Sequence, residues 1–256
     1  MAPYLRFKGV TKVFAPVEVI SKTNLSIKKN EFIVFLGPSG CGKTTLMRMV
    51  GGLDTPTSGA VFLEDGAVSE PDRRRGMVFQ SYSSFPWLTV EQNIAFGMRY
   101  RKDLSRSEKA DRTRHYLRLV GLEDFAKAFP NKVSGGMRQR VAIARTLAAG
   151  SEVLLMDEPF GALDALTRER LQVELRQIQA RESKTVIFVT HDVEEGVLLA
   201  DRIILFSKRP ARVVADIDVA AKLGPDRTLE TRERSEFFAL KNHVLHLIRN
   251  ETGDVI

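Results

Sequence analysis

The spacing of apolar and polar residues divides the chain into strand-like and helix-like segments. Between residues 4 and 36 the two classes alternate over short stretches, as in Tyr4-Leu-Arg-Phe-Lys8, which is typical of half-exposed antiparallel strands. Short apolar segments of strand length follow at 32–36, 60–64, 77–79, 153–156, 186–189 and 203–206. Helical periodicity near 165–182 and 192–200 separates the last three. This alternation predicts a parallel sheet that is buried on both faces.

Two further stretches have a helical pattern. Residues 91–149 are polar, rich in arginine and mostly helical in pattern, and residues 235–249 are predicted to form a helix near the end of the chain. The chain becomes charged after Asp216, and it contains no internal repeat and no low-complexity segment. We therefore expect an α/β core with an inserted helical region and a helical tail.

The composition is that of a soluble globular protein. Of the 256 residues, 43% are apolar and 28% are charged. No apolar run approaches the roughly 18 residues that a membrane-spanning helix needs, and the N-terminal residues lack the charged-then-apolar pattern of a secretory signal. The single cysteine excludes an intrachain disulfide and fits a reducing cytoplasm.

The charge is moderately positive, with 39 Lys and Arg against 32 Asp and Glu, a net +7. Nucleic-acid binding is one interpretation. The other is a solvated surface whose positive bias suits ATP and an anionic membrane face. The basic residues are dispersed, with Arg73-Arg-Arg75 as the only triplet, and no aromatic-rich binding platform accompanies them. We favour the second interpretation and expect no nucleic-acid partner.

The segment Gly37-Pro-Ser-Gly-Cys-Gly-Lys-Thr44 matches the pattern G-x-x-x-x-G-K-S/T at every fixed position. Its glycines let backbone N–H groups approach phosphate oxygens, and a helix beginning near Lys43 directs its positive end at the same oxygens. Lys43 supplies charge to the β- and γ-phosphates, and Thr44 offers its hydroxyl to Mg²⁺. A plain glycine turn is the alternative, but a strand before the segment and a helix after it are what phosphate binding requires.

Several apolar runs end in residues suited to phosphate chemistry, namely Gln80, Asp157, Glu158 and His191. Because ligands of parallel sheets bind beyond the carboxyl ends of the strands, we expect these side chains to converge with the phosphate loop. Asp157 is predicted to hold Mg²⁺, and Glu158 to orient or deprotonate the attacking water. His191 would contact the γ-phosphate, and Gln80 would ligate Mg²⁺. The alternatives are a turn cap for the two carboxylates, a satisfied turn residue for His191 and an ordinary surface residue for Gln80.

Ser134-Gly-Gly-Met-Arg-Gln-Arg-Val-Ala-Ile-Ala-Arg145 resembles the signature helix of the ABC ATPase family. Glycine inside a helix costs roughly 1 kcal/mol relative to alanine, which is understandable where backbone must approach a phosphate. A loop before an amphipathic helix is the alternative and leaves the glycine pair unexplained. The family pattern usually reads Leu-Ser-Gly-Gly-Gln, whereas Val133 and Met137 stand at its outer positions here.

The resemblance covers nearly the whole chain and implies the fold of a P-loop NTPase (RecA-like). This fold is an α/β architecture in which helices flank a mostly parallel sheet, with an N-terminal antiparallel β region and an inserted helical signature subdomain. The nucleotide-binding core would consist of two segments, at 1–86 and 141–216. The signature subdomain at 87–140 would be inserted between them, and a C-terminal helical tail would follow at 217–256. ATP and Mg²⁺ are the implied cofactors.

The resemblance also implies a set of site residues. The catalytic residues are Glu158, His191 and Gln80, and the metal ligands are Thr44, Gln80 and Asp157. The residues that bind nucleotide are Phe14, Gly37, Pro38, Ser39, Gly40, Cys41, Gly42, Lys43, Thr44, Thr45, Gln80, Ser134, Gly135 and Gly136. Phe14 matches the aromatic that stacks on adenine, with a core role at a strand end as the alternative. Ala162-Leu-Asp164 matches the loop that communicates across the dimer, in which signature residues bind the γ-phosphate held by the opposite subunit.

Two segments are similar to importer subunits for nitrate, sulfonates and taurine: Phe85-Pro-Trp-Leu-Thr-Val90 and the stretch 208–218. The resemblance implies an ATP-hydrolysing motor at the cytoplasmic face of the plasma membrane. Its partners would be a second ATP-binding subunit, integral membrane permease subunits and, indirectly, an extracytoplasmic substrate-binding protein. Family members dock a short permease helix near Phe85, Trp87 and Leu88, for which a core role is the alternative. A non-transport ABC ATPase that acts on nucleic acid or the ribosome is the alternative function.

Overall fold

The computed structural model describes residues 3–79, 84–161 and 163–252. The chain divides into two compact units, one formed by residues 1–72 with 172–256 and the other by residues 73–171. In chain order the strands are β1 Leu5–Phe14, β2 Val17–Ile27, β3 Phe32–Leu36, β4 Ser58–Leu63, β5 Gly66–Ala67, β6 Arg75–Val78, β7 Val153–Asp157, β8 Thr185–Val189, β9 Arg202–Phe206 and β10 Val213–Asp218. The helices are α1 Lys43–Val50, α2 Val90–Phe96, α3 Arg106–Leu119, α4 Gly135–Ala149, α5 Ala165–Glu182, α6 Val193–Leu199, α7 Ala220–Leu223 and α8 Ser235–Thr252. Short 3₁₀ segments lie at Glu123–Phe125, Pro130–Lys132 and Leu229–Glu233.

An antiparallel sheet in the order β2-β1-β4-β5 opens the first unit. Leu5 of β1 is opposite Ile27 of β2 on one side and Leu63 of β4 on the other, and all three are buried. Every second side chain at the start of β1 therefore faces the core, which is the pattern that apolar alternation specifies. The predicted N-terminal antiparallel region is confirmed.

The core of the first unit is built around β3, which pairs in parallel with β8 on one side and with β9 on the other. All five residues of β3 and all five of β8 are buried, as expected for strands covered on both faces. Strand β10 adds to β9 in the antiparallel direction. Because β3 and β8 are parallel neighbours, their carboxyl ends lie at the same end of the sheet, and the loops that follow the two strands begin side by side there.

The second unit contains the parallel pair β6–β7 and helices α2, α3 and α4, which pack on one another. The side chains of Thr89 and Ser105 accept hydrogen bonds at the starts of α2 and α3 and complete capping boxes. Buried Asn93 donates from its amide to the Phe85 and Leu88 carbonyls at 3.1 and 3.0 Å. The segment before α2 is thus fixed by polar contacts to the helix itself. Helix α5 begins in the second unit and ends in the first.

The C-terminal elements of the first unit are bonded to the core through Asp201. Its carboxylate accepts from the Arg227 guanidinium at 2.9 Å and from the Phe32 N–H at 2.8 Å, and it forms an ion pair with the Arg176 guanidinium at 3.0 Å. Beyond this junction, α8 packs on α6. Every helix in the described ranges of the chain is too short or too polar to cross a membrane. The division into four segments made from the sequence stays a prediction.

Candidate nucleotide site

The phosphate loop, residues 37–42, follows β3 and ends where α1 begins. Two of its glycines are required by the backbone: Gly37 has φ 150° and Gly42 has φ 125°, values that L-residues with a side chain rarely adopt. A Cβ on Gly37 would lie 2.6 Å from the Phe206 carbonyl oxygen, and one on Gly42 would lie 3.2 Å from the Val19 carbonyl oxygen. The loop is therefore a tight curl around the start of α1, which is the geometry of an anion-binding nest.

Lys43 places a buried positive charge inside this curl. Its ammonium donates to the Gly37 carbonyl at 2.7 Å and the Pro38 carbonyl at 2.9 Å, and it lies 3.9 Å from the Cys41 thiol sulfur. The side chain is 5% exposed, and its partners among the described residues are all neutral. A buried cation without a carboxylate partner is stabilised by any anion that enters the loop. The residues present therefore fit a phosphate group.

The other loop residues predicted to bind nucleotide differ in exposure. Ser39 and Gly40 are exposed, Pro38 is half-buried, and Cys41 is buried. Within the first turn of α1, Thr44 is exposed and Thr45 is half-buried. The Thr44 hydroxyl lies at the helix start and carries an oxygen, which is the ligand type that a hard cation prefers.

His191 follows β8 and therefore lies at the carboxyl end of the parallel strands, where the phosphate loop also begins. The chain around it is held by Asp192, which caps α6 by accepting from the N–H groups of Glu194 and Glu195 at 2.9 and 3.1 Å. The Asp192 N–H in turn donates to the Thr190 hydroxyl at 3.0 Å. His191 is exposed between these two fixed residues. The first unit thus brings the phosphate loop and His191 to one edge, as the sequence predicted.

Phe14 lies at the end of β1 and is 49% exposed, which rules out a core role. The Lys12 ammonium lies 4.7 Å from the centroid of its ring. Lys12 and Phe14 project to the same side of β1 because they are two residues apart. An aromatic ring with a cation beside it suits an anionic nucleotide whose base stacks. Sequence reasoning did not single out Lys12, although its position two residues before Phe14 in the same strand could have indicated that the two side chains lie together.

In the second unit, β7 ends at Asp157, and Glu158 follows directly. Both side chains are half-buried. Glu158 has φ 43°, a left-handed conformation that costs an L-residue roughly 1–2 kcal/mol. Such strain at a carboxylate is typical of functional turns. Gln80 and Ala162, two residues of the predicted site and of the predicted dimer loop, lie outside the described residues.

Ser134 is the N-cap of α4, and its hydroxyl accepts from the Met137 N–H at 3.3 Å. Ser134 itself is exposed, and Gly135 is half-buried behind it. Gly136 is buried, and a Cβ there would lie 2.6 Å from the Thr167 methyl carbon of α5. The second glycine therefore has a packing role that sequence reasoning did not find, since Thr167 lies 31 residues further along the chain.

Similarity to known proteins extends over nearly the whole chain. A protein-family model described as ABC transporter matches residues 20–161. An uncharacterized ABC transporter ATP-binding protein of Methanocaldococcus jannaschii is 43% identical over 251 residues, which cover 96% of this chain and 92% of the relative. The chain belongs to the ABC transporter family.

Two further similarities bear on the fold and activity of this ABC subunit. The nitrate import ATP-binding protein NrtD of Synechocystis sp. is 41% identical over 254 residues, which cover 96% of this chain and 95% of the relative. A solved dimeric structure of the ATP-binding cassette MJ0796 in a post-hydrolysis state, bound to ADP and Pi, is 34% identical with a TM-score of 0.71, covering 84% of this chain and 98% of that chain. The predicted P-loop NTPase fold is confirmed. The chain is the ATP-binding subunit of an ABC transporter, and it is an ATPase.

The ABC subunit also carries an aromatic cleft in its second unit, with a volume of about 290 Å³. Phe85 forms its centre: the ring centroid lies 4.5 Å from that of Phe96, and the Arg145 guanidinium lies 5.1 Å from the same centroid. Burial lowers the pKa of Arg145. Beside the cleft, Trp87 lies 5.5 Å from Phe85 and is 70% exposed, and Tyr100 in the lining is 82% exposed. A core role for Trp87, the alternative considered from the sequence, is excluded.

Proposed function

We propose that this chain is the motor subunit of an importer that takes up a small anion such as nitrate, a sulfonate or taurine. The observation that carries the motor function is the phosphate loop, in which the buried Lys43 ammonium contacts only neutral groups among the described residues. Import and the anion class are supported by the 41% identity to a nitrate import ATP-binding protein over nearly the whole chain. In this function, ATP binding draws two copies together and hydrolysis separates them.

Each predicted site residue has a proposed role in hydrolysis. Lys43 and the loop N–H groups bind the β- and γ-phosphates, and Phe14 stacks on the adenine base. Thr44, Asp157 and Gln80 supply oxygen ligands to Mg²⁺, which neutralises phosphate charge when it is bound. Glu158 accepts the proton of the attacking water. His191 stabilises the charge that develops on the γ-phosphate.

The signature segment completes the site of a second copy. Ser134 is exposed at the start of α4, where the helix dipole favours an anion. We assign to Ser134, Gly135 and Gly136 the γ-phosphate held by the partner subunit. The similar MJ0796 cassette was solved as a dimer bound to ADP and Pi, which supports this arrangement.

The aromatic cleft is assigned to a short helix of the permease. Two exposed aromatic side chains, Trp87 and Tyr100, border a cavity of about 290 Å³, and exposed aromatic groups of this kind suit the apolar face of a short helix. The cleft lies in the same unit as Asp157 and Ser134, so a permease helix bound there would contact the unit that carries these residues. We place the subunit at the cytoplasmic face of the plasma membrane, where a permease presents such a helix.

The test is purification of the tagged chain from its native membranes in mild detergent. We expect an integral membrane protein to accompany it, and we expect Trp87→Ala to lose that protein while ATP hydrolysis by the isolated subunit stays near the wild-type rate. Phe238→Ala is the matched control, because Phe238 is an exposed aromatic (49%) on α8 and lies outside the cleft. Recovery of nucleic acid in place of a membrane protein, with steep salt dependence, would support the non-transport alternative.

The anion class is tested on the purified complex with its substrate-binding protein in proteoliposomes. Nitrate, a sulfonate and taurine are each added, and stimulation of ATP hydrolysis is measured. Stimulation by one of them supports the proposal. Stimulation only by a cationic solute, or by a neutral solute that carries no sulfonate group, would contradict it.

A further inference from the structure

Arg209 contacts the phosphate loop through its guanidinium. It lies in the β9–β10 connection, residues 207–212, and its Nη2 donates to the Gly40 carbonyl at 2.7 Å. Arg209 forms no ion pair with any carboxylate in the ranges of the chain that the structure describes. Its charge is therefore offset by a backbone dipole alone, directly beside the loop that holds Lys43.

The connection that carries Arg209 is fixed by hydrogen bonds of its own. The Ser207 N–H donates to the Arg212 carbonyl at 3.0 Å, and the Arg212 N–H donates back to the Ser207 hydroxyl at 3.1 Å. Ala211 bonds to β2 in both directions, donating to the Val19 carbonyl at 2.8 Å and accepting from the Ser21 N–H at 3.0 Å. Arg209 thus projects from a connection that is held by hydrogen bonds at Ser207, Ala211 and Arg212.

The contact with Arg209 orients one peptide group of the loop. In a trans peptide the carbonyl and the following N–H point in opposite directions. Because the Gly40 carbonyl points toward Arg209, the Cys41 N–H points away from Arg209, toward the Pro38 carbonyl within the loop. That N–H is 3.4 Å from the Pro38 carbonyl, a long contact that leaves it available to a stronger acceptor.

We propose that Arg209 is a positioning residue for the phosphate loop, which holds the Gly40–Cys41 peptide in the orientation that binds nucleotide phosphate and adds a second positive charge beside Lys43. The inference rests on the proposed role of the loop in phosphate binding. A charge-assisted hydrogen bond is stronger than a neutral one, although exposure of Arg209 to water weakens it. The predicted consequence is tighter nucleotide binding with little effect on the chemical step.

The experiment measures the dissociation constants of ATP and ADP for Arg209→Ala and Arg209→Lys, together with kcat and KM. For Arg209→Ala we expect both constants and KM to rise about 3- to 10-fold while kcat at saturating ATP stays within about twofold. Arg209→Lys keeps a donor and a charge, so it should restore part of the affinity. Amide hydrogen exchange over residues 36–46 should be faster in Arg209→Ala, while the thermal midpoint stays close to the wild-type value.

Arg212→Ala is the matched control, since it removes the same charge from the same connection. The Arg212 guanidinium lies 3.7 Å from the Glu251 carboxylate, and within the described residues it makes no hydrogen bond to the phosphate loop. Wild-type affinity in Arg209→Ala, or an equal loss in Arg212→Ala, would overturn the inference. Lys43→Ala distinguishes failure of this inference from failure of the proposed nucleotide site. If Lys43→Ala also binds ATP normally, the phosphate loop itself is wrongly assigned. If Lys43→Ala loses ATP affinity and Arg209→Ala does not, only the role of Arg209 is removed.

Discussion

Two separate reasons favour glycine at position 136: the proposed approach of its backbone to a phosphate, and its close packing against α5. Its family position suggests a backbone that approaches a phosphate, whereas its surroundings place the Thr167 methyl carbon 2.6 Å from any Cβ and the Leu171 side chain at 3.4 Å. A separation of 2.6 Å is far inside van der Waals contact, so the Thr167 side chain or one of the two helices must shift to admit a larger residue. Packing alone therefore disfavours a larger residue here.

Gly136→Ala tests the packing role. Alanine is favoured over glycine in a helix by about 1 kcal/mol, but overpacking costs about 1–3 kcal/mol. We expect a net loss of about 1 kcal/mol in unfolding free energy, measured by urea denaturation. In the Thr167→Ser background the clashing methyl group is absent, and Gly136→Ala should then be neutral or stabilising. The same loss in both backgrounds would show that Thr167 is not the cause.

The residues that the sequence identified share a local signal. Lys43 stands in a contiguous motif, and Asp157 ends an apolar run that forms the fully regular strand β7. Arg209 and Thr167 carry no such signal, because their partners Gly40 and Gly136 lie 169 and 31 positions away along the chain. Contacts at that separation depend on the tertiary fold, which local periodicity does not encode.

The same distinction separates elements that were predicted from elements that were not. Helix α5 begins and ends at the predicted residues, and β3, β8 and β9 match the predicted apolar runs to within one residue. Strand β10 was not predicted, since only Ile217 among its six residues is buried. Its pairing depends on the backbone of β9, and an exposed edge strand has little apolar pattern to show.

The C-terminal elements are attached to the core through a charged cluster centred on Asp201. The Arg227 side chain is fully buried, and burial lowers its pKa to about 10, so it remains charged at neutral pH. Besides Asp201, its donors reach the Leu198 carbonyl at 3.0 Å and the Gly224 carbonyl at 2.6 Å. Removing the Asp201 carboxylate therefore leaves the buried Arg227 guanidinium with only neutral backbone carbonyls as hydrogen-bond acceptors among the described residues.

Asp201→Ala is expected to destabilise the chain by about 3–5 kcal/mol, because breaking one side of a buried ion pair leaves its partner uncompensated. Urea denaturation measures the loss. Asp216→Ala is the control: Asp216 also pairs with an arginine, Arg202, but it is 46% exposed, and exposed pairs contribute about 0–1 kcal/mol. Similar losses in the two variants would show that burial does not set the strength of the Asp201 cluster.

Across the molecule, the proposed catalytic groups fall into two sets. The phosphate loop, Phe14 and His191 belong to the first unit, whereas Asp157, Glu158 and Ser134 belong to the second. Ser134 differs from the rest of its set, because its proposed ligand is the phosphate held by another copy. Each working site would then need two polypeptides, as a head-to-tail dimer provides. Formation of the dimer should accordingly require both ATP and an unobstructed surface around Ser134 at the start of α4.

We expect Glu158→Gln, which keeps the shape of the side chain but removes the proposed base, to bind ATP and accumulate as a dimer detected by light scattering. Adding Ser134→Arg places a bulky side chain at the α4 start, so the double variant should still bind ATP through its own phosphate loop yet remain a monomer. Ser107→Arg in the same Glu158→Gln background is the control, since Ser107 is an exposed residue of α3 in the same unit. It should leave the ATP-dependent dimer intact. A dimer that survives Ser134→Arg, or one that Ser107→Arg abolishes equally, would mean that the signature segment does not meet the nucleotide of a second copy.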